Sequence, residues 1–97
     1  MAKQPETVFK EKIFKDFDKI PKLFYFKLQL FSKIGLPDVI ICYNGRFVAW
    51  ELKVNNNKTT PIQNYFLKKI DNAGGISRIV TPVNYKKYLK ELLALSE

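Results

Sequence analysis

Two carboxylates and an ammonium stand out by type and spacing. Asp38 follows Pro37, and Glu51 and Lys53 form a Glu-x-Lys unit downstream. Between them lie two apolar runs joined by Asn44-Gly45. Asn-Gly between such runs is the strongest short hairpin signal, because a two-residue type I′ turn needs φ > 0 at both central positions. With Asn44 and Gly45 as the loop, Tyr43 faces Arg46, and counting outward brings Asp38 opposite Glu51. Pairs alternate along an antiparallel ladder, so 38:51 is expected as a non-hydrogen-bonded pair. Its Cβ atoms would lie roughly 4.5–5.5 Å apart. Lys53 lies two residues on and shares the face of Glu51. Like charges opposed on a hairpin are destabilising, and a divalent cation would offset them.

That set suits phosphodiester hydrolysis, which needs a metal to carry developing charge, an activated water and positive charge beside the phosphate. Magnesium is held by one or two carboxylates and keeps several waters. Asp38 and Glu51 would be ligands, with the Leu52 backbone carbonyl as a third. Lys53 would orient or help deprotonate the attacking water, or stabilise the pentavalent phosphate. The plainer reading makes Asp38 a turn residue and Glu51 and Lys53 an exposed edge ladder. Register weighs against it: the turn sets the fragments opposite each other independently of any motif. Trp50 and Leu52 fill the other face, matched by Val39 and Ile41.

Composition narrows the chemistry. The 97 residues, 46% hydrophobic, suit one domain spanning 1–97. There is no histidine, which excludes Ser-His-Asp and Cys-His machinery and nearly every zinc site. A single cysteine, Cys42, excludes an internal disulfide and fits a reducing, cytoplasmic setting. No run of ~18 apolar residues suggests a membrane span, and the Lys-bearing N-terminus lacks a signal-peptide core. The net charge of +8 favours phosphate-rich partners. Only Arg46 and Arg78 among the 17 basic residues are arginine, so point-charge contact with a nucleic-acid backbone is expected over bidentate base reading.

The elements that must position these residues follow from periodicity. Residues 1–5 read as a tail. Glu6 to about Lys19 is a helix, with Phe9, Ile13, Phe17 and Ile20 on one face and Pro21 as its stop. Leu23 to Leu30 alternates Phe24, Phe26, Leu28 and Leu30 against Tyr25, Lys27 and Gln29, the period of a half-buried strand. Pro37 cannot donate to a ladder, so the second strand begins near Asp38. The third runs from Arg46 to about Val54. Thr60-Pro61-Ile62-Gln63 is a helix start, with Thr60 as N-cap, Pro61 at N1 and Gln63 closing a capping box. Ile62, Phe66, Ile70 and Ala73 form that helix's stripe, supported by Tyr65 and Leu67, and Gly74-Gly75 ends it. Ile76 to Val80 is a short strand. Asn84 caps a last helix to about Leu95 that buries Tyr88, Leu89, Leu92 and Leu95. The order α-β-β-β-α-β-α predicts an α/β fold: a meander, then a crossover helix returning a fourth strand to one mixed sheet.

Gly35-x-Pro37-Asp38, the Asn-Gly hairpin, Glu51-x-Lys53, Thr60-Pro61-x-Gln63 and an amphipathic helix ending in Gly74-Gly75 together resemble the VRR-NUC family. This is the virus-type replication-repair nuclease branch of the PD-(D/E)xK superfamily. The resemblance spans about residues 6–81. It implies a restriction-endonuclease-like αβββαβ core with helices flanking the central mixed sheet, here followed by a C-terminal helix. It also implies a Mg²⁺- or Mn²⁺-dependent DNA endonuclease. Carried over, Asp38 and Glu51 bind metal, Lys53 acts at the water or phosphate, and Gln63 completes the site. A first-helix glutamate commonly joins them; Glu6 fits that pattern best, with Glu11 as rival. Stand-alone members resemble phage Holliday junction resolvases that act as homodimers on branched DNA, which would place this chain in a bacterial host cytoplasm.

Candidate DNA-backbone contacts are Lys10, Lys12, Lys15, Lys33, Lys58, Lys68 and Lys69. Tyr25 and Tyr43 could touch DNA or a partner copy, though packing on neighbouring strands is the simpler role. Two rival functions share the features: a non-catalytic DNA-binding protein keeping the fold, and an RNA-directed nuclease. Unneutralised carboxylates repel phosphate, which argues against the first.

Overall fold

A computed structural model of the chain describes residues 3–28, 34–54 and 58–95. Its elements are α1 (Pro5–Asp18), β1 (Leu23–Lys27), β2 (Val39–Tyr43), β3 (Arg46–Leu52), α2 (Pro61–Asn72), β4 (Ile76–Val80) and α3 (Tyr85–Ala94). The sheet order is β1-β2-β3-β4. The first three strands run antiparallel, and β4 is parallel to β3. A parallel neighbour needs a crossover, which α2 supplies. Among the described residues no helix is long and apolar enough to cross a membrane.

One sheet face carries the core. Leu23, Tyr25, Val39, Ile41, Val48, Trp50, Leu52 and Val80 meet Phe9, Ile13, Phe14 and Phe17 of α1 and Tyr85 and Leu92 of α3. Aromatic rings bind these layers. Tyr25 stacks on Phe14 at 5.3 Å between centroids, and Trp50 lies 5.3 Å from Phe17 and 6.1 Å from Tyr85. Pairs of this geometry add to the burial of their large apolar surfaces.

The other face is only partly covered. Ser77 of β4 donates its hydroxyl to the Leu67 carbonyl and to Asp71, which ties α2 over the β3–β4 half. Over β1 no described element lies on that face, and Phe24 and Phe26 are 65% and 47% exposed. The expected assignment of β1 is thereby corrected: the Tyr25 row enters the core and the phenylalanine row faces outward. The inward row is the more polar of the two, so alternation alone points the wrong way; Tyr25, stacked on Phe14 of α1, carries it into the core.

Other bounds shift for local reasons. Pro5 opens α1 instead of ending a tail, since its missing N–H costs nothing in a first turn. β1 stops at Lys27; the expected extension through Gln29 and Leu30, and Lys33 beyond it, lie outside the described residues. The α2 stripe is corrected too: only Leu67 is buried, while Ile62 and Tyr65 are exposed. Phe66 and Ile70 overhang the uncovered half of the sheet and line a groove of about 710 Å³ with Phe26, Ile40 and Phe47. Asn84 precedes α3 without capping it through its side chain. Its amide reaches back instead, accepting from Thr81 N–H and donating to the Ile79 carbonyl.

Candidate active site

The β2–β3 turn has the geometry that Asn-Gly requires, with φ of 52° at Asn44 and 75° at Gly45. The register then runs from Tyr43:Arg46 to Val39:Trp50. At Asp38 the ladder breaks. Its N–H donates to the Trp50 carbonyl at 3.1 Å, while its own carbonyl accepts from Leu28 N–H at 2.8 Å. A regular strand residue sends both groups toward one neighbour. Asp38 splits them between two strands, so the expected 38:51 ladder pair does not form. Its side chain completes the pairing instead: Oδ2 accepts from Leu52 N–H at 2.7 Å. In continued register Leu52 would face Pro37, so the carboxylate takes over where β2 ends.

The carboxylates nevertheless come together. Asp38 is 7% exposed and Glu51 is 3% exposed. Burial pushes the Glu51 carboxyl up to about 7, the charge of Asp38 adds to that, and Lys53 partly opposes it. Lys53 Nζ lies 3.4 Å from Glu51 Oε2. Oε1 of Glu51 is buried and has no hydrogen-bond partner among the described residues. Leaving such an oxygen unsatisfied costs about 1–3 kcal/mol or more, so it calls for a partner. Lys53 N–H bonds to the Val80 carbonyl of β4, so odd-numbered residues of β3 face β4. Leu52 therefore turns its carbonyl toward the end of β2, the side on which Asp38 lies.

Among the described residues no three His, Cys, Asp or Glu side chains gather into a cluster able to hold a metal by themselves. The donor set is two carboxylates plus a backbone carbonyl. That fits Mg²⁺ or Mn²⁺, which need few protein oxygens. The orphaned Glu51 oxygen is the atom that such a cation would satisfy.

Helix α2 begins against the segment that leads to Asp38. Gly35 has φ of +92°, and a Cβ there would lie 2.8 Å from Cγ1 of Ile62. Only glycine lets the segment leading to Asp38 pass so close to the first turn of α2. The capping box forms in full: Gln63 N–H donates to Thr60 Oγ1 at 3.2 Å, and Thr60 N–H donates to Gln63 Oε1 at 2.9 Å. The cap uses the amide oxygen of Gln63 and not its nitrogen, whose donors a substrate could take.

The first-helix glutamates separate. Glu6 pairs with Lys10 at 3.0 Å, and Lys10 Nζ lies 3.8 Å from Asp38 Oδ1. Glu11 is held by Lys3 at 2.8 Å, which keeps its carboxyl below the usual range. Lys10, expected on the DNA-facing surface, is instead turned into the carboxylate cluster. Sequence reading missed this. The i,i+4 spacing of Glu6 and Lys10 signals their pairing, but the reach to Asp38 depends on how α1 packs. Lys58 is exposed. Lys68 is exposed and lines a separate cleft with Asn64, Arg78 and Tyr88, sharing no residue with the Asp38–Glu51 cluster. Tyr25 and Tyr43 are half-buried against the core.

The architecture is the restriction-endonuclease-like core, an α/β fold with a four-stranded mixed sheet, carrying an added C-terminal helix. Among solved structures the chain is similar to a VRR_NUC domain protein, with a TM-score of 0.72 over 97% of this chain and 92% of that one, at 14% identity. The fold is thus shared with the family whose motifs the sequence resembles. No family model matches the sequence, and no curated protein matches it.

Proposed function

We propose that residues 1–97 act as one metal-dependent endonuclease domain that hydrolyses phosphodiesters in DNA. The substrate is branched DNA such as a four-way junction, the cofactor Mg²⁺ or Mn²⁺, and the working form a homodimer in the cytoplasm. The observation that carries this reading is the buried, unpartnered Glu51 oxygen beside Asp38. The likeness in fold to a VRR_NUC domain protein supports it. Asp38 Oδ1, Glu51 Oε1 and the Leu52 carbonyl would hold the cation. When bound, such a cation supplies positive charge against the phosphate oxygens and acidifies water.

The chain's own groups do the rest. Lys53 donates to the attacking water or to a phosphate oxygen where negative charge grows. Gln63 offers its amide N–H groups at the positive end of α2, a natural place for phosphate. Glu6 joins through Lys10. Lys58 and Lys68 contribute backbone contacts from outside the cluster.

The test is to incubate the protein with linear duplex, flap, fork and four-way junction DNA, with Mg²⁺, Mn²⁺ or EDTA. Junction cleavage that needs the metal is expected. Asp38→Asn and Lys53→Ala should each lower it by a factor on the order of 10² or more, the scale of losing one charge-stabilising group. Asparagine keeps an acceptor for Leu52 N–H, so loss of cleavage there is not loss of fold. Full cleavage by both variants would overturn the site. Junction binding indifferent to EDTA, with no nicking under any metal, would favour the non-catalytic reading; preference for RNA would redirect the substrate.

A further inference from the structure

The proposed metal site already contains two cations of the chain's own. Lys53, just past the end of β3, faces Glu51. Lys10 reaches Asp38 from α1, with a side chain only 19% exposed. Lysine is rarely drawn in so far unless a carboxylate holds it. Here two do: Asp38 at 3.8 Å and Glu6 at 3.0 Å.

The atoms matter. Asp38 Oδ2 accepts from Leu52 N–H, which leaves Oδ1 as its oxygen for a cation. Oδ1 is the oxygen that Lys10 faces. A divalent ion and the Lys10 ammonium therefore compete for one atom. Charge points the same way. Asp38, Glu51 and Glu6 face Lys10 and Lys53, so with every carboxyl ionised the set carries one net negative charge. Adding a divalent ion leaves an excess of one positive charge, which is costly away from water. Either an ammonium leaves or an anion arrives. Lys10 is the one able to leave. Its contact to Asp38 is too long for a hydrogen bond. Its stem is flexible. Glu6, on the exposed side of α1, keeps a second anchor one helical turn away.

We propose that Lys10 is an exchangeable counter-ion of Asp38: it neutralises the site before metal arrives, is displaced from Oδ1 by the divalent cation, and then turns its ammonium to the DNA backbone. The inference rests on the metal-site reading above. Lys10 is a positioning residue in this scheme, coupling metal binding to DNA binding. Coupling between two ligands is reciprocal, so each strengthens the other.

The experiment compares the full chain with Lys10→Met, which keeps the length of the stem and loses the charge, and with Lys10→Arg, which keeps the charge. Mn²⁺ binding is titrated calorimetrically without DNA. Junction binding is measured against NaCl concentration in Ca²⁺ and in EDTA. Lys10→Met should bind Mn²⁺ at least about fivefold tighter, the low end of coupling between sites, and Lys10→Arg should bind as the parent does. In Ca²⁺ the salt slope of Lys10→Met should fall by about one phosphate contact; in EDTA it should not change. If the parent binds no Mn²⁺, the metal site itself fails. If the parent binds and Lys10→Met binds no tighter, the exchange is overturned while the metal site stands. An equal fall in slope with and without Ca²⁺ makes Lys10 a constant DNA contact and also overturns it.

Discussion

The Glu51 carboxyl is held up to about 7, against an ordinary value of 4.5, chiefly by burial. Between those two values the folded chain binds more protons than the unfolded one. The protonated carboxyl's contribution to stability is therefore complete below the ordinary value and is lost as pH rises through about 7. In EDTA the melting temperature should fall between about pH 5 and pH 8. Metal binding needs the ionised form, so the rise in melting temperature on adding Mg²⁺ should grow over the same range. Glu51→Gln should flatten the EDTA profile, melt higher than the parent at pH 8, and fail to cleave. A flat parental profile would show that Glu51 does not titrate there. None of this shift could be read from Glu-x-Lys alone. The residue types were legible in the sequence, but the depth at which the sheet buries them was not.

Hairpin and capping box were legible because their chemistry is local. Asn44-Gly45 leaves a turn little choice, and Thr60-Pro61-x-Gln63 satisfies its own helix end. The break at Asp38 was not legible, because it depends on Leu28 arriving from β1 to take the Asp38 carbonyl. A two-strand count cannot include a third strand. Register arithmetic thus brought the right residues together while giving the wrong pairing. The same limit hid Lys10 and turned β1 over, since both depend on how α1 settles on the sheet. At α2, Gln63 is proposed to serve both cap and substrate, and two variants separate those tasks. Thr60→Ala and Gln63→Ala should each cost about 1 kcal/mol as lost caps, seen as similar drops in melting temperature. Gln63→Ala should lose clearly more cleavage. Equal cleavage by the two would leave Gln63 a capping residue only.

Across the whole molecule the two sheet faces differ sharply. One is closed by α1 and α3; the other presents Phe24, Phe26 and Phe47 beside the groove under α2. Contiguous exposed aromatics of this kind mark contact surfaces. Phe24 and Phe26 lie on β1, an edge of the sheet, and Phe47 on β3. This supports the homodimer proposed above, with one carboxylate cluster for each strand of a branch. In analytical ultracentrifugation the parent should sediment as a dimer, and Phe24→Asp/Phe26→Asp as a folded monomer with unchanged far-ultraviolet circular dichroism. A parental monomer at all accessible concentrations would remove the dimer.

Cys42 is exposed and sits in register between Phe24 and Phe47, at the middle of that outward face. Its thiol is therefore a native reporter. Dilution below the association range should quicken its reaction with a maleimide dye, so the rate of labelling reads assembly directly, with no tag and no added probe site.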